Sequence, residues 1–333
     1  MNAPRATFAL EETSLVGELF DEPSLVRLRG LVRLGDDVVT RADPRIPLHA
    51  DQTEILITGW GAPRLDADML DAWPNLRAVF HAAGSVKRVV SPALWERGIR
   101  VSSSAAANAV PVAEYTLAMI LLSAKHALEA ASAFHRTHDM AVSRPRGDIG
   151  AYGITVGIVG ASRIGRRVLD LLRPFDVSTV LYDPSLSTTD AAALGTTLVS
   201  LDDLLRVSDI VSLHAPSLPE TYRMIGAREL AFMRDGATLI NTARGKLVDT
   251  DALLVELAAG RVKAVLDVTD PEPLPSGHAL FSAPGVTLTP HIAGSVGNEL
   301  RRMGRQTVDE IERFVTVGSL DYEVHHRDLA TIA

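Results

Sequence analysis

Apolar and polar positions fall along this chain in short blocks of two kinds. Compact apolar runs at Thr7 to Leu10, Glu54 to Thr58, Arg77 to Phe80 and Ile99 to Val101 have the length and composition of strands. Between them, Pro23 to Leu34, Asp66 to Trp73 and Pro92 to Arg97 repeat apolar residues at helical spacing, each bounded by Asp, Pro or Gly. Strands alternating with helices predict a parallel sheet. From Val110 to Leu128, the residues Val112, Ala113, Leu117, Ile120, Leu121 and Ala124 predict one long helix, apolar around much of its girth. Such a helix is usually buried between domains or subunits.

After a loop rich in Arg, Gly and Pro (Ser143 to Gly153) the alternation resumes at Ile154, with strands expected near Val180, Ile210, Leu239 and Val265 and a short one from Val286 to Leu288. The last helix, Gly297 to Val317, carries Leu300, Met303, Val308, Ile311, Phe314 and Val315 on one side. It is too long for a cap and reads as the return path to the first unit. About 16 residues follow Val317, too few for a further independent fold. The expectation is an α/β protein of two parallel-sheet domains, one inserted in the other. Its boundaries are 1–106 with 295–333 for the outer domain and 107–294 for the insertion.

The stretch from Ile154 to Gly165 organises the inserted domain. Its first seven residues are apolar, β-branched or Gly, a glycine turn follows, and Ile164, Val168, Leu171 and Leu172 then recur at helical spacing. Strand, turn and helix N-terminus make an anion site of the kind that holds a dinucleotide pyrophosphate. Gly160 and Gly165 take the first and third glycine positions, and Ser162 stands at the second. A Cβ at Ser162 narrows the approach, while its hydroxyl can donate to a phosphate oxygen. Asp183 ends the next apolar run, 18 residues after Gly165, where an acid accepts from the ribose hydroxyls of NAD. No Lys or Arg lies between Arg173 and Arg206, which predicts NAD rather than NADP.

Composition narrows the partners. The chain has 333 residues, enough for two cores, and Lys+Arg 33 against Asp+Glu 41 gives a net charge of -8 with no basic block. That argues against nucleic acid as a main partner. Cysteine is absent, which excludes a disulfide scaffold and Cys-ligated metal; no metal is expected. The N-terminus lacks an apolar signal core, and the longest apolar run, Leu117 to Leu122, is far short of the ~20 residues that span a bilayer. A cytoplasmic protein without a membrane partner is the expectation.

Three residues follow strand ends of the inserted unit, where an open α/β sheet places its ligand crevice. Arg244 sits directly after an apolar strand in Asn241-Thr-Ala-Arg-Gly245, a planar fork suited to a carboxylate, although pairing with a local Asp fits that loop equally well. Glu272 lies between prolines that stiffen its segment. His291, in Thr289-Pro-His-Ile-Ala-Gly294, belongs to the one residue type that exchanges a proton near neutrality unperturbed, and a carboxylate on its far nitrogen would fix the tautomer.

Together these segments resemble the D-isomer-specific 2-hydroxyacid dehydrogenases, which include glyoxylate/hydroxypyruvate reductases, phosphoglycerate dehydrogenases and D-lactate dehydrogenases. The motifs are the glycine turn, Val211-Ser-Leu-His-Ala-Pro216, Asn241 to Gly245, Leu266-Asp-Val268 with Glu272 following, and Thr289 to Gly294, in the family's order. The resemblance implies that Arg244 binds the substrate carboxylate, Glu272 orients His291, and His291 moves the proton. It places Arg163 and Ile164 against the pyrophosphate, Asp183 at the adenosine ribose, and Pro216, Thr242, Ala243, Asp267, His291 and Gly294 among the cofactor contacts with Gly160 and Ser162. Ala83-Gly84-Ser85 matches the loop whose amides take the substrate carboxylate, so Gly84 and Ser85 are substrate-binding candidates. A Rossmann domain inserted in a flavodoxin-like substrate domain, closure on substrate, and a homodimer through the helix after Asn108 are also implied.

Two departures stand out. One is Ser162; the other is Lys87-Arg88, where the family usually has an acid. The implied activity is NAD-dependent reduction of a small 2-keto acid, or oxidation of the 2-hydroxy acid. Formate dehydrogenases, which resemble the chain more distantly, use Gln where Glu272 stands. An NAD-sensing corepressor and a phosphite dehydrogenase remain as alternatives, because both keep the same three residues.

Overall fold

The computed structural model describes residues 3–147 and 149–330. The chain divides into two compact units, 1–109 with 295–333 and 110–294. The first crossing falls inside a helix, three residues beyond the expected 106.

The first unit is built on a parallel sheet of β1 (Arg5–Ala9), β2 (Arg33–Val39), β3 (Thr53–Thr58), β4 (Ala78–His81) and β5 (Arg100–Ser103), in the order β2-β1-β3-β4-β5. Alternation sorts its side chains: Ile55, Ile57, Ala78 and Phe80 enter one core, while Leu56 and Val79 enter the core on the opposite face. The helix Leu300–Val317 closes the first face with Leu300, Met303, Val308, Ile311 and Phe314. Gly304 allows this approach, since a Cβ there would lie 1.9 Å from the Leu19 carbonyl oxygen.

The second unit carries β6 (Thr155–Val159), β7 (Ser178–Tyr182), β8 (Thr197–Leu198), β9 (Ile210–Leu213), β10 (Thr238–Asn241), β11 (Lys263–Leu266) and β12 (Val286–Leu288). All pairs are parallel, in the order β12-β11-β10-β9-β6-β7-β8. The order reverses beside β6, so the ends of β6 and β9 flank the position at which such sheets bind ligands. The helix Arg163–Leu172 has the bounds that its apolar spacing predicts, and buries Val168, Leu169 and Leu172.

Two expectations need correction. The helical pattern extended to Leu34 ends at Leu31, and the sequence Arg33 to Val39, polar at Gly35-Asp36-Asp37, is instead the edge strand β2. An edge strand has one neighbour only and tolerates charge, which hides its apolar signature. The long helix runs Ala105–Ala124, encloses Pro111, and is separated from a second helix, Ala127–Thr137, by His126 at φ 51°. By length and composition alone, Ala105–Ala124 is long and apolar enough to cross a membrane, which no uninterrupted apolar run had suggested. Of its most apolar window 39% is buried within the protein, and Ala113 and Ile120 belong to a core cluster of the second unit.

Candidate active site

The turn after β6 brings backbone against backbone. Gly160 adopts φ 99°, and a Cβ on it would lie 2.7 Å from the Ala215 nitrogen; a Cβ on Gly165 would lie 2.1 Å from the Gly160 carbonyl oxygen. Only glycine fits either position. Ser162 caps the helix Arg163–Leu172, its Oγ accepting from Gly165 N at 3.3 Å. That role was not anticipated, yet Ser, Asp, Asn and Thr just ahead of a helix are the usual capping signal. The Ser162 hydroxyl hydrogen is still left to donate to a ligand. Arg163 and Ile164 open the helix, Arg163 exposed and Ile164 half-buried.

Asp183 sits just past β7. Its Oδ2 accepts from Ala161 N at 2.7 Å, and its Oδ1 accepts from Ser185 N at 2.9 Å and Ser185 Oγ at 2.6 Å. Burial pushes this carboxyl up, but the bonds from Ser185 and Ala161 and the nearby Arg166 charge outweigh it and hold the group below its ordinary value. Carboxylate, glycine turn and helix N-terminus therefore fit the adenosine ribose and pyrophosphate of a dinucleotide.

At the end of β9, His214 N donates to Val159 O at 2.7 Å, and half-buried Pro216 follows. His214 is buried, with Nε2 bonded to Ser212 Oγ at 2.9 Å and Nδ1 without a partner among the described residues. Burial lowers its pKa to about 3, so the ring is a neutral filler beneath Gly165. In the sequence His214 stands out only as part of the Val211 to Pro216 motif.

The three candidate catalytic residues all lie in this second unit. Arg244 is half-buried and follows β10 in a loop pinned by Asn241, which donates from Nδ2 to Arg244 O at 2.8 Å and accepts from Ala243 N at 3.0 Å. Arg244 Nη1 donates to Ala243 O at 2.6 Å. Thr242 is tied by its hydroxyl to Thr116 Oγ1 at 2.9 Å. A Cβ on Gly245 would lie 2.0 Å from the Thr269 carbonyl, so the Arg244 loop runs directly against the segment leading to Glu272.

His291 has φ 55°, unusual for a residue with a side chain. Its Nδ1 is hydrogen-bonded to Glu272 Oε1, leaving Nε2 as the ring nitrogen for a reactant. Asp267 holds the backbone that carries it. The Asp267 oxygens accept from Thr289 Oγ1 at 2.6 Å, Ile292 N at 2.8 Å and Ala293 N at 2.9 Å, and the Asp267 carbonyl accepts from His291 N at 3.0 Å. The carboxylate expected along the cofactor is thus also the clamp of the His291 loop. Tyr115 extends the clamp through its hydroxyl, 2.8 Å from Thr289 Oγ1. Gly294, half-buried, closes the segment.

Gly84 and Ser85 belong to the first unit, after β4, and are half-buried. A Cβ on Gly84 would come to 3.1 Å from Asn108 Nδ2, and Asn108 Oδ1 accepts from Ser295 N at 2.9 Å. His81 is buried beside this loop with Nδ1 2.9 Å from Thr58 Oγ1. Of the departing pair, Lys87 is half-buried and Arg88 exposed.

Parallel sheet order, the glycine cradle, the acid just past β7 and a His–Glu pair lie together in one unit built like a dinucleotide-binding domain. The family model for the NAD-binding domain of D-isomer specific 2-hydroxyacid dehydrogenases matches residues 117–293. D-3-phosphoglycerate dehydrogenase of Mycobacterium tuberculosis is 37% identical over 251 residues, 75% of this chain and 47% of that one. Glyoxylate reductase of Aeropyrum pernix is 34% identical over 273 residues, 80% of each chain. The crystal structure of TT0316 protein from Thermus thermophilus superposes with TM-score 0.75 at 32% identity, covering 96% of this chain and all of that one. The chain belongs to the D-isomer specific 2-hydroxyacid dehydrogenase family. It spans about half the length of the phosphoglycerate dehydrogenases it matches.

Proposed function

We propose that the protein is an NAD-dependent D-2-hydroxyacid dehydrogenase that reduces a small 2-keto acid. The observation that carries this reading is the His291–Glu272 pair, set on a loop that Asp267 clamps within the NAD-binding unit. Gly160, Ser162, Arg163, Ile164, Asp183, Pro216, Thr242, Ala243, Asp267 and Gly294 are assigned to the cofactor, and Gly84 and Ser85 to the substrate carboxylate. When bound, the nicotinamide supplies hydride chemistry at C4. Arg244 orients the keto acid and stabilises negative charge on its carbonyl oxygen. His291 delivers a proton from Nε2 to that oxygen, while the Glu272 carboxylate stabilises the imidazolium and fixes the ring.

Asp183 supports preference for NAD(H), because its charge opposes a 2′-phosphate. The same reading takes the protein as a cytoplasmic homodimer without nucleic-acid or membrane partners. The expected seam is the helix after Asn108; directly beyond it, the helix Ala127–Thr137 buries none of its residues in this chain, and Phe134 on it, with Met140 and Val142 in the next helix, are exposed apolar side chains available to a second copy. Purified protein assayed with NADH against glyoxylate, hydroxypyruvate, pyruvate, phenylpyruvate and 3-phosphohydroxypyruvate tests the activity. Turnover of at least one supports it. Tight NADH binding with negligible turnover of all five would identify a sensor instead.

A further inference from the structure

The adenosine-ribose end of the site contains a cation that the sequence places on a different element. Arg166 lies in the helix Arg163–Leu172, and its Nε donates to the Ala161 carbonyl oxygen at 2.8 Å. The N–H of the same residue, Ala161, donates to Asp183 Oδ2 at 2.7 Å. Guanidinium and carboxylate therefore grip one residue of the glycine turn from its two polar ends. The Arg166 side chain is exposed and, among the described residues, makes no ion pair within 4.0 Å, so its two Nη groups are left to a ligand. Its charge acts on both Asp183 and Asp190, the acids on either side of the turn that follows β7.

We propose that Arg166 is a specificity-determining residue for the cofactor, a cation already positioned for a ribose 2′-phosphate and masked by Asp183. This rests on the reading of Asp183 as the ribose-binding acid. In the wild type, Asp183 repels a 2′-phosphate and its negative charge offsets that of Arg166. With Asp183 neutral, the guanidinium meets a phosphate dianion with charge-assisted bonds, and no new cation has to be introduced. Asp183 is then the single barrier to the phosphorylated cofactor, and the lack of Lys and Arg from 174 to 205 is no barrier of its own.

Isothermal titration of NADH and NADPH against the wild type, Asp183→Ser, Arg166→Gln and the double variant tests this by binding alone. Asp183→Ser is expected to tighten NADPH by at least ~10-fold. Adding Arg166→Gln to it should weaken NADPH by ~10-fold or more and NADH by less than ~3-fold, with Arg166→Lys recovering part of the loss. No tightening in Asp183→Ser, or a double variant that keeps the gained NADPH affinity, overturns the proposal. A wild type that already binds NADPH as tightly as NADH contradicts the cofactor preference but leaves this test intact: Arg166→Gln must then weaken NADPH selectively, and equal losses for both cofactors overturn it.

Discussion

Asp267→Asn probes how the reactive histidine is held. Asp267 is 2% exposed, with Thr289 Oγ1 and Ile292 N on Oδ1 and Ala293 N on Oδ2. An amide keeps one oxygen, which can still serve the first two donors, but turns its NH2 toward the Ala293 N–H. One bond to a charged acceptor is lost, worth about 1.5–3 kcal/mol, and a buried donor is left facing a donor, at roughly 1–3 kcal/mol more. A total near ~3–4 kcal/mol corresponds to a fall of roughly 6–16 °C in Tm for a domain of this size. Because the released backbone carries His291, kcat for keto-acid reduction should fall by at least ~10-fold at temperatures where the variant is still folded. Thermal melts followed by circular dichroism, paired with NADH oxidation assays, measure both. A Tm within 2 °C of wild type together with unchanged kcat would refute the clamp.

Glu272→Gln removes the charge beside His291 but keeps a hydrogen-bonding side chain. Without that charge the ring loses the partner that steadies and orients it, so kcat should fall by ~10-fold while NADH affinity holds; an unchanged kcat makes Glu272 structural. Acid should destabilise the fold through its buried histidines. Burial lowers His214 to about 3 and, despite a hydrogen bond with the Ser85 backbone, His81 to about 4. The unfolded chain therefore binds more protons than the native one as pH falls below ~6.5, and stability drops steadily from there toward pH 4. Urea titrations across this range should show that slope, shallower in His214→Asn; a slope unaffected by that substitution places the acid sensitivity elsewhere.

The fold was legible wherever burial imposed a period. The helix Arg163–Leu172 and the strands β6, β9 and β10 are core elements whose apolar spacing has one interpretation. Strand β2 was lost because an edge position lets a charged residue such as exposed Asp37 stand in a strand. The break at His126 was lost because its backbone adopts a left-handed conformation without a glycine to announce it. In the site, motif spacing identified Arg244, Glu272 and His291 as candidates, but not what supports them. Asp267 clamps through backbone amides far along the chain, and Arg166 reaches back from its helix to the Ala161 carbonyl of the glycine turn. Both depend on tertiary placement rather than on a local pattern.

The proposed role of His291 is to move the proton of a keto-acid reduction while other residues hold the cofactor. Its most direct test is kcat/KM of His291→Ala on the best keto acid, with the NADH dissociation constant measured on the same preparation. The expected loss is at least ~100-fold in kcat/KM, with NADH affinity changed by less than ~3-fold. Wild-type-like turnover in this variant, with NADH bound as before, would contradict it.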